Sequence, residues 1–308
     1  MDKTAVVIGA SGLIGKYCYK VLGSRGWQVI GTFNANSQDN LVYLDALNLQ
    51  SVRKFIEENK PSWVINCASL PGGVDLCELD PELAFKNHLK IPEILINACK
   101  SFSCHFVHFS TDYIFDGNSG PYKEDDLINP ISVYGKIKAK AEQLVNDNIS
   151  DALIIRTTFV YDYDPKSRSK NFIQAIIEKI INKISVNVPT DQIGNPTLSR
   201  NLAEVTIDLI ENEAKGIFNV AGVDRLSKYK WAIRAAEIFG LDKGFIKGVT
   251  TPELKQVARR PLSAGFELNK IQNTVQRRLY GIDEGLKLMK ADWIKDSPDL
   301  FSYEVNNK

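Results

Sequence analysis

The chain has 308 residues, 44% of them apolar and 24% charged, with a formal net charge of +1. This is the make-up of a soluble globule with room for one large α/β domain or two modest ones. It excludes a global field for nucleic acid or an anionic membrane, an apolar run near the ~18 residues of a membrane helix, and a leader pattern ahead of Ala5.

Short apolar runs alternate with helical patterns through the first half. Strands are predicted at residues 5–8, 28–33, 41–44, 63–66, 105–110 and 152–160. Helices are predicted at 13–22, 51–59 with Ser51 as cap, 81–100 and 131–146. The strands are apolar without alternation, which argues a parallel sheet covered on both faces. Right-handed crossovers then give a doubly wound, Rossmann-like α/β fold. After Val160 the rhythm breaks. Residues 161–170 read as a polar loop, followed by helices at 172–182, 199–211 and 227–239. A strand at 216–221 is expected to return to the main sheet. Two portions follow: residues 1–160 for a dinucleotide, and a smaller mixed portion, 161–308, for a substrate.

Gly9, Gly12 and Gly15 fall between the first strand and the first helix. Glycines there permit a tight turn and close approach of a pyrophosphate to a helix N-terminus. The loop Gly9, Ser11, Gly12, Leu13, Ile14 and Gly15 is therefore the expected cofactor cradle. The second strand ends without the acid that would bind a ribose 2′-hydroxyl. Asn34, Asn36 and Ser37 stand there instead, which favours NADP(H), with NAD(H) as the alternative. Asp45 is a candidate for the adenine amino group, or equally a turn residue.

Of eleven tyrosines, only Tyr134 has a lysine four positions on, Lys138. On a helix the two share a face, although about one such pair is expected by chance in a chain this lysine-rich. Context decides. Ser110 and Thr111 end a mid-sheet strand, where ligands of open α/β folds bind. Hydride attack on a ketone builds charge on oxygen. Thr111 would hydrogen-bond that oxygen, Tyr134 would protonate it, and Lys138 would lower the phenol pKa from its usual ~10. The five scattered cysteines read as reduced structural thiols of a cytoplasmic protein. The three histidines have no metal-ligand spacing, and His105 and His108 read as structural. The doublets Arg259-Arg260 and Arg277-Arg278 read as solvated or anion-facing pairs.

With these elements in place the chain resembles the extended short-chain dehydrogenase/reductases, and within them the dTDP-4-dehydrorhamnose reductase family. The resemblance runs over nearly the whole chain. Its most specific marks are residues 110–117, Ser-Thr-Asp-Tyr-Ile-Phe-Asp-Gly, and residues 191–197, Asp-Gln-Ile-Gly-Asn-Pro-Thr. It implies reduction of a 4-keto group on a nucleotide-activated deoxysugar, with Thr111, Tyr134 and Lys138 catalytic. It implies Ala68 beside the cofactor, with Ser110, Tyr113, Phe159 and Asn171 on the substrate surface, and Asn87 at an asparagine position common in these enzymes. No metal is implied; a homodimer is. Two departures bear on the sugar: Phe159 stands where the family usually has Trp, and the loop after Asn66 differs in length and lacks a Tyr-Thr. A different sugar-nucleotide epimerase or reductase remains an alternative. So does a non-catalytic regulator resembling the methionine adenosyltransferase β subunit, which keeps the same Tyr-Gly-Lys-x-Lys run.

Overall fold

The computed structural model describes residues 3–298 except Arg168. Residues 299–308 of the expected substrate portion, and Arg168 of the polar loop, lie outside the described residues. The chain opens with β1 (Thr4–Ile8), α1 (Leu13–Ser24), β2 (Gln28–Phe33), β3 (Val42–Tyr43), α2 (Leu49–Asn59) and β4 (Trp63–Asn66). It continues with α3 (Gly73–Leu79), α4 (Pro81–Phe85), a π-helical turn at Lys86–Lys90, α5 (Ile91–Phe102), β5 (His105–Thr111), α6 (Val133–Asn148) and β6 (Leu153–Thr157). These strands and a later one, at Gly216–Asn219, form one parallel seven-stranded sheet. Its order places β4 and β5 on one side of β1, and β2 and β3 on the other. The winding therefore reverses between β1 and β4. Apolar cores lie on both faces, one around Val6, Val64 and Ile94, the other around Val7, Ile65 and Ile207. Continuous burial along β4 and β6 explains why those strands carry no polar alternation.

The remainder builds a second core. It contains β7 (Val160–Tyr161), α7 (Phe172–Ile181), β8 (Val186–Pro189), β9 (Ile193–Gly194), β10 (Thr197–Leu198) and α8 (Ser199–Glu211). Then come β11 (Gly216–Asn219), β12 (Leu226–Ser227), α9 (Lys228–Phe239), β13 (Ile246–Val249), α10 (Thr251–Leu254), α11 (Asn269–Thr274) and α12 (Ile282–Asp296). Trp231, Phe239, Leu286 and Trp293 centre this core. Two of these elements return to the first half: β11 pairs with β6, and α8 packs its Leu202 and Ala203 into the same core as Leu22 of α1. Among the described residues no helix is long and apolar enough to cross a membrane.

Four local expectations are corrected. Helix α2 is capped by Asn48, whose side chain accepts from Ser51 N–H, so Ser51 lies inside the helix. The expected helix 81–100 is interrupted by the π turn, with Pro92 two residues beyond it; proline has no N–H to give to the carbonyl four residues back, and the wider turn absorbs that loss. Residues 73–79 form a helix where no element was predicted. The expected strand 152–160 stops at Thr157, and Phe159, at φ +46°, turns the chain before β7.

Candidate functional site

At the reversal between β1 and β4 the carboxyl ends of β4 and β5 open into a cleft of about 270 Å³. A switch point of strand order is where open α/β sheets bind small ligands. Ile14, Ala68, Ser110, Thr111, Tyr113, Tyr134, Lys138 and Phe159 all line it. Residues read from separate motifs thus meet in one place.

Helix α6 brings Tyr134 and Lys138 in. Ser132 caps it, accepting from Gly135 N–H at 3.2 Å. A Cβ on Gly135 would stand 2.1 Å from the Tyr113 carbonyl oxygen, so only glycine lets the first turn press against the turn after β5. Further along, the fully buried Arg156 of β6 grips Glu142 of α6 through Nε and Nη2, at 2.8–3.2 Å. Removing one partner of such a pair costs about 3–5 kcal/mol. The helix is therefore fixed at both ends of its catalytic face.

Thr111 Oγ1 accepts from Tyr113 N–H at 3.3 Å and donates to Asp112 Oδ1 at 3.3 Å. Asp112 also accepts from the Thr158 hydroxyl at 2.6 Å, and burial pushes its carboxyl up to about 6. The Tyr134 ring meets Tyr113 and His88 edge-on, at 5.6 and 5.2 Å. Desolvation pushes its phenol well above the ordinary value, opposed by the adjacent Thr111 hydroxyl. The expectation that Lys138 lowers this phenol is not met in this geometry, where desolvation dominates. Lys138 Nζ instead contacts Phe109 O at 2.5 Å and His108 Nε2 at 3.1 Å, and burial brings it down to about 8.

The glycine loop is tight. Gly9 has φ +75°, and a Cβ there would sit 3.0 Å from Ala68 N; one on Gly15 would sit 2.3 Å from Gly9 O. Helix α1 begins with no side-chain cap and no acid in its first turn. Uncapped N–H groups at a helix start suit a diphosphate, and the buried Ser110 and Thr157 hydroxyls, both lining the cleft, have no hydrogen-bond partner. These features fit a dinucleotide lying from α1 towards β5. The Ser11 carbonyl accepts from the Gln38 amide and the Leu13 carbonyl from the Ser199 hydroxyl, tying the loop down.

Of the expected glycine loop only Ile14 lines this cleft, the rest of the loop lying beside it, and Asn34, Asp45 and Asn171 also stand outside its lining. Asn34 is exposed just beyond β2. Asp45 accepts from Leu47 N–H at 3.0 Å, the turn role. Asn171 caps α7, accepting from Gln174 N–H and donating to Asp162 O, so its amide is spent on the fold. Asn87 likewise bonds Leu83 O of its own helix, while its neighbour His88 lines the cleft. Sequence reasoning missed His88, His108, Asp112, Lys228 and Arg260. Asp112 was legible inside Ser-Thr-Asp-Tyr. Arg260 was half-legible: its doublet splits, with Arg259 exposed and Arg260 buried against Asp75 at 2.8 Å. Lys228, over the rings of Phe159 and Phe172, has no local signal. The second doublet is a surface pair: Arg277 bonds Asp208 and Arg278 bonds Glu284.

Fold and cleft together define a Rossmann-type dinucleotide-binding protein with a second, ligand-facing core. The profile of the RmlD substrate binding domain matches residues 3–293. The chain is 30% identical over 310 residues to the dTDP-4-dehydrorhamnose reductase of Aggregatibacter actinomycetemcomitans, covering 97% of this chain and 98% of that one. It belongs to the dTDP-4-dehydrorhamnose reductase family. The crystal structure of a dTDP-4-dehydrorhamnose reductase from Clostridium acetobutylicum superposes with a TM-score of 0.84 at 30% identity, over 95% of this chain and 99% of that one. Also similar is the methionine adenosyltransferase 2 subunit beta of Xenopus tropicalis, 28% identical over 88% of this chain and 82% of that one.

Proposed function

We propose that this protein reduces the 4-keto group of a nucleotide-activated deoxysugar with NADP(H), as the names of its reductase relatives suggest. The observation that carries the reading is the convergence of Thr111, Tyr134 and Lys138 on the cleft beside the glycine loop. The bound nicotinamide would supply the hydride. Thr111 turns its hydroxyl from Asp112 to the keto oxygen as charge grows there. Tyr134 gives that oxygen its proton. A desolvated phenol holds its proton at neutral pH, so the group is loaded before the substrate arrives. Lys138 stands on the same helix face to offset the phenolate that remains. The lack of an acid after β2 favours the 2′-phosphate of NADP(H) over NAD(H).

Residues 1–160 would hold the cofactor and 161–308 the substrate, with Tyr113, Phe159, Lys228 and Arg260 around the sugar nucleotide. Five free thiols fit a reducing cytoplasm, and a homodimer is expected of the class. The test is NADPH oxidation with a panel of nucleotide-linked 4-keto-6-deoxyhexoses. Turnover that disappears in Tyr134→Phe supports the reading; turnover that persists overturns the proton-donor role. The likeness to the methionine adenosyltransferase subunit favours a second reading, a regulator. No NADPH oxidation with any ketosugar, together with a stable complex with a synthetase, would select it.

A further inference from the structure

The fold pairs four of the five scattered cysteines. Cys18 of α1 lies against Cys67 after β4, and Cys99 of α5 lies against Cys104 ahead of β5, each pair joined by a sulfur hydrogen bond. The catalytic reading uses neither pair.

The second pair follows from the way α5 ends. Ser103 stands in the left-handed region at φ +55°, and its N–H and that of Cys104 both bond Cys99 O, the latter at 3.0 Å. A helix that ends in this way folds the residue after the left-handed one back onto its own last turn. Those two positions are Cys104 and Cys99. The usual apolar contact there is sulfur on sulfur in this chain, and a direct backbone bond brings the two residues about as close as a disulfide requires.

The two pairs differ in which sulfur can be reached. Cys67 donates to Cys18, and Cys99 donates to Cys104. A donating thiol keeps its proton, whereas an accepting one is eased towards the nucleophilic thiolate. Cys18, the acceptor of the first pair, is fully buried. Cys104, the acceptor of the second, is 6% exposed and borders a shallow cavity of about 260 Å³, with Cys99 behind it. Burial disfavours a Cys104 thiolate, but the bond from Cys99 outweighs it and holds the thiol below its ordinary value. Cys104 also makes a long bond to Phe102 O, at 3.8 Å. The polar groups around the cavity are engaged with one another: Lys100 donates to Asn148 Oδ1 at 3.0 Å, and His105 pairs with Asp151 at 2.8 Å.

We propose that Cys99 and Cys104 form a reversible oxidation site, a dithiol that a small peroxide converts to an intramolecular disulfide. The Cys104 sulfur attacks one peroxide oxygen and the O–O bond breaks. The departing oxygen leaves as water with the Cys104 proton, and a sulfenic acid remains. The Cys99 sulfur then attacks the Cys104 sulfur, the S–O bond breaks, and the hydroxyl leaves as a second water with the Cys99 proton. Two thiols lose two electrons and two protons, and the peroxide is reduced to two waters. A dithiol reductant reverses the bond by exchange. Cys104 precedes the first residue of β5, whereas Ser110 and Thr111 end that strand at the cleft. The site is therefore independent of the proposed reduction.

Peptide mapping of the full-length protein tests it. Reduced protein is exposed to hydrogen peroxide with and without NADPH, alkylated, and digested with trypsin. Lys100 lies between the two cysteines, so the disulfide would join peptides 91–100 and 101–123. That joined pair should appear with the loss of two of the five free thiols, equally with and without NADPH, and should vanish after dithiothreitol. Cys104→Ser should leave Cys99 reduced, whereas Cys99→Ser should leave a Cys104 sulfenic acid that a cyclic 1,3-diketone traps. Oxidation of Cys67 ahead of Cys104, protection by NADPH, Cys104 carried on to sulfinic acid beside a free Cys99, or no loss of thiols would each overturn the proposal. So would undiminished oxidation of Cys99 in Cys104→Ser. Where a serine variant fails to fold, the joined peptide in wild type decides alone.

Discussion

Residues 9–15 stand at one wall of the cleft, with Ile14 in its lining, and act mainly through backbone. A second wall presents Tyr113 and Phe159, with Lys228 over the Phe159 ring and the Arg260–Asp75 ion pair within electrostatic reach of Tyr113, five separate segments acting through side chains. A diphosphate needs only N–H groups and room, which glycine gives at any fold-compatible place. A particular sugar needs side chains brought from distant positions. The first wall is therefore generic and the second selective. Variants on the two walls should fail differently.

The largest effect belongs to the atom between them. Tyr134→Phe removes the transferable proton and leaves the ring packed against Tyr113 and His88. A fall in kcat of about 10²–10⁴-fold is expected, with unchanged melting behaviour and NADPH affinity by calorimetry. Comparable loss of NADPH binding would place the tyrosine on the glycine wall instead. Gly15→Ala should do the reverse. Its Cβ would stand 2.3 Å from Gly9 O and 2.9 Å from Ala10 Cα, both backbone. Overpacking of that kind costs about 1–3 kcal/mol, and the distorted loop should bind NADPH at least about tenfold more weakly. Normal NADPH binding in a stable Gly15→Ala protein would remove the cradle argument.

A smaller effect separates stability from chemistry at Asp112. Its carboxyl is raised to about 6 by burial, above the ordinary 3.8. A folded pKa above the unfolded one means that the fold favours the protonated acid. That contribution is complete below about pH 4 and is lost as pH rises through 6. Asp112→Asn keeps an uncharged amide in place. It should raise stability by roughly 1–2 kcal/mol at pH 7 and by little at pH 4, read from melting curves at both. Activity should drop, because Thr111 loses the carboxylate that orients it. Equal stabilisation at both pH values would refute the linkage.

How far the sequence was readable follows the same division. The parallel sheet was legible because β1, β4 and β6 are buried along nearly their whole length and therefore largely apolar without alternation. The glycine loop and the Tyr134–Lys138 pair were legible because each is a local pattern with its own geometry. The π turn was not, since a helical period looks unbroken until the missing N–H of Pro92 is counted. Neither was the break at Thr158-Phe159, where β-branched and aromatic residues continue in sequence while the backbone turns at positive φ. His108 was read as a structural strand residue, because its contact with Lys138 joins positions 30 apart. Lys228 and Asn171 make the same point from opposite sides. One enters the cleft region from the start of α9 without a motif; the other has a motif-like position but spends its amide capping α7.

The finest test of the selective wall is Phe159. Its ring stacks on Trp231 at 6.0 Å with planes 7° apart, and Lys228 lies 4.9 Å over it. Gly194 backs the same ring, since a Cβ there would come within 3.0 Å of it. Positive φ costs a non-glycine residue of order 1 kcal/mol, and Phe159 bears it while packed on Trp231 with an edge lining the cleft. Phe159→Trp restores the family's usual residue at the same turn. It adds an indole N–H donor and more stacking area beside the sugar, without touching Thr111, Tyr134 or the glycine loop. The expected change is therefore in KM and in the ranking of ketosugars, by about 3–10-fold, with kcat on the best substrate and NADPH affinity nearly unchanged. A change in kcat with an unaltered ranking would mean that Phe159 acts on the turn between β6 and β7 and not on the sugar.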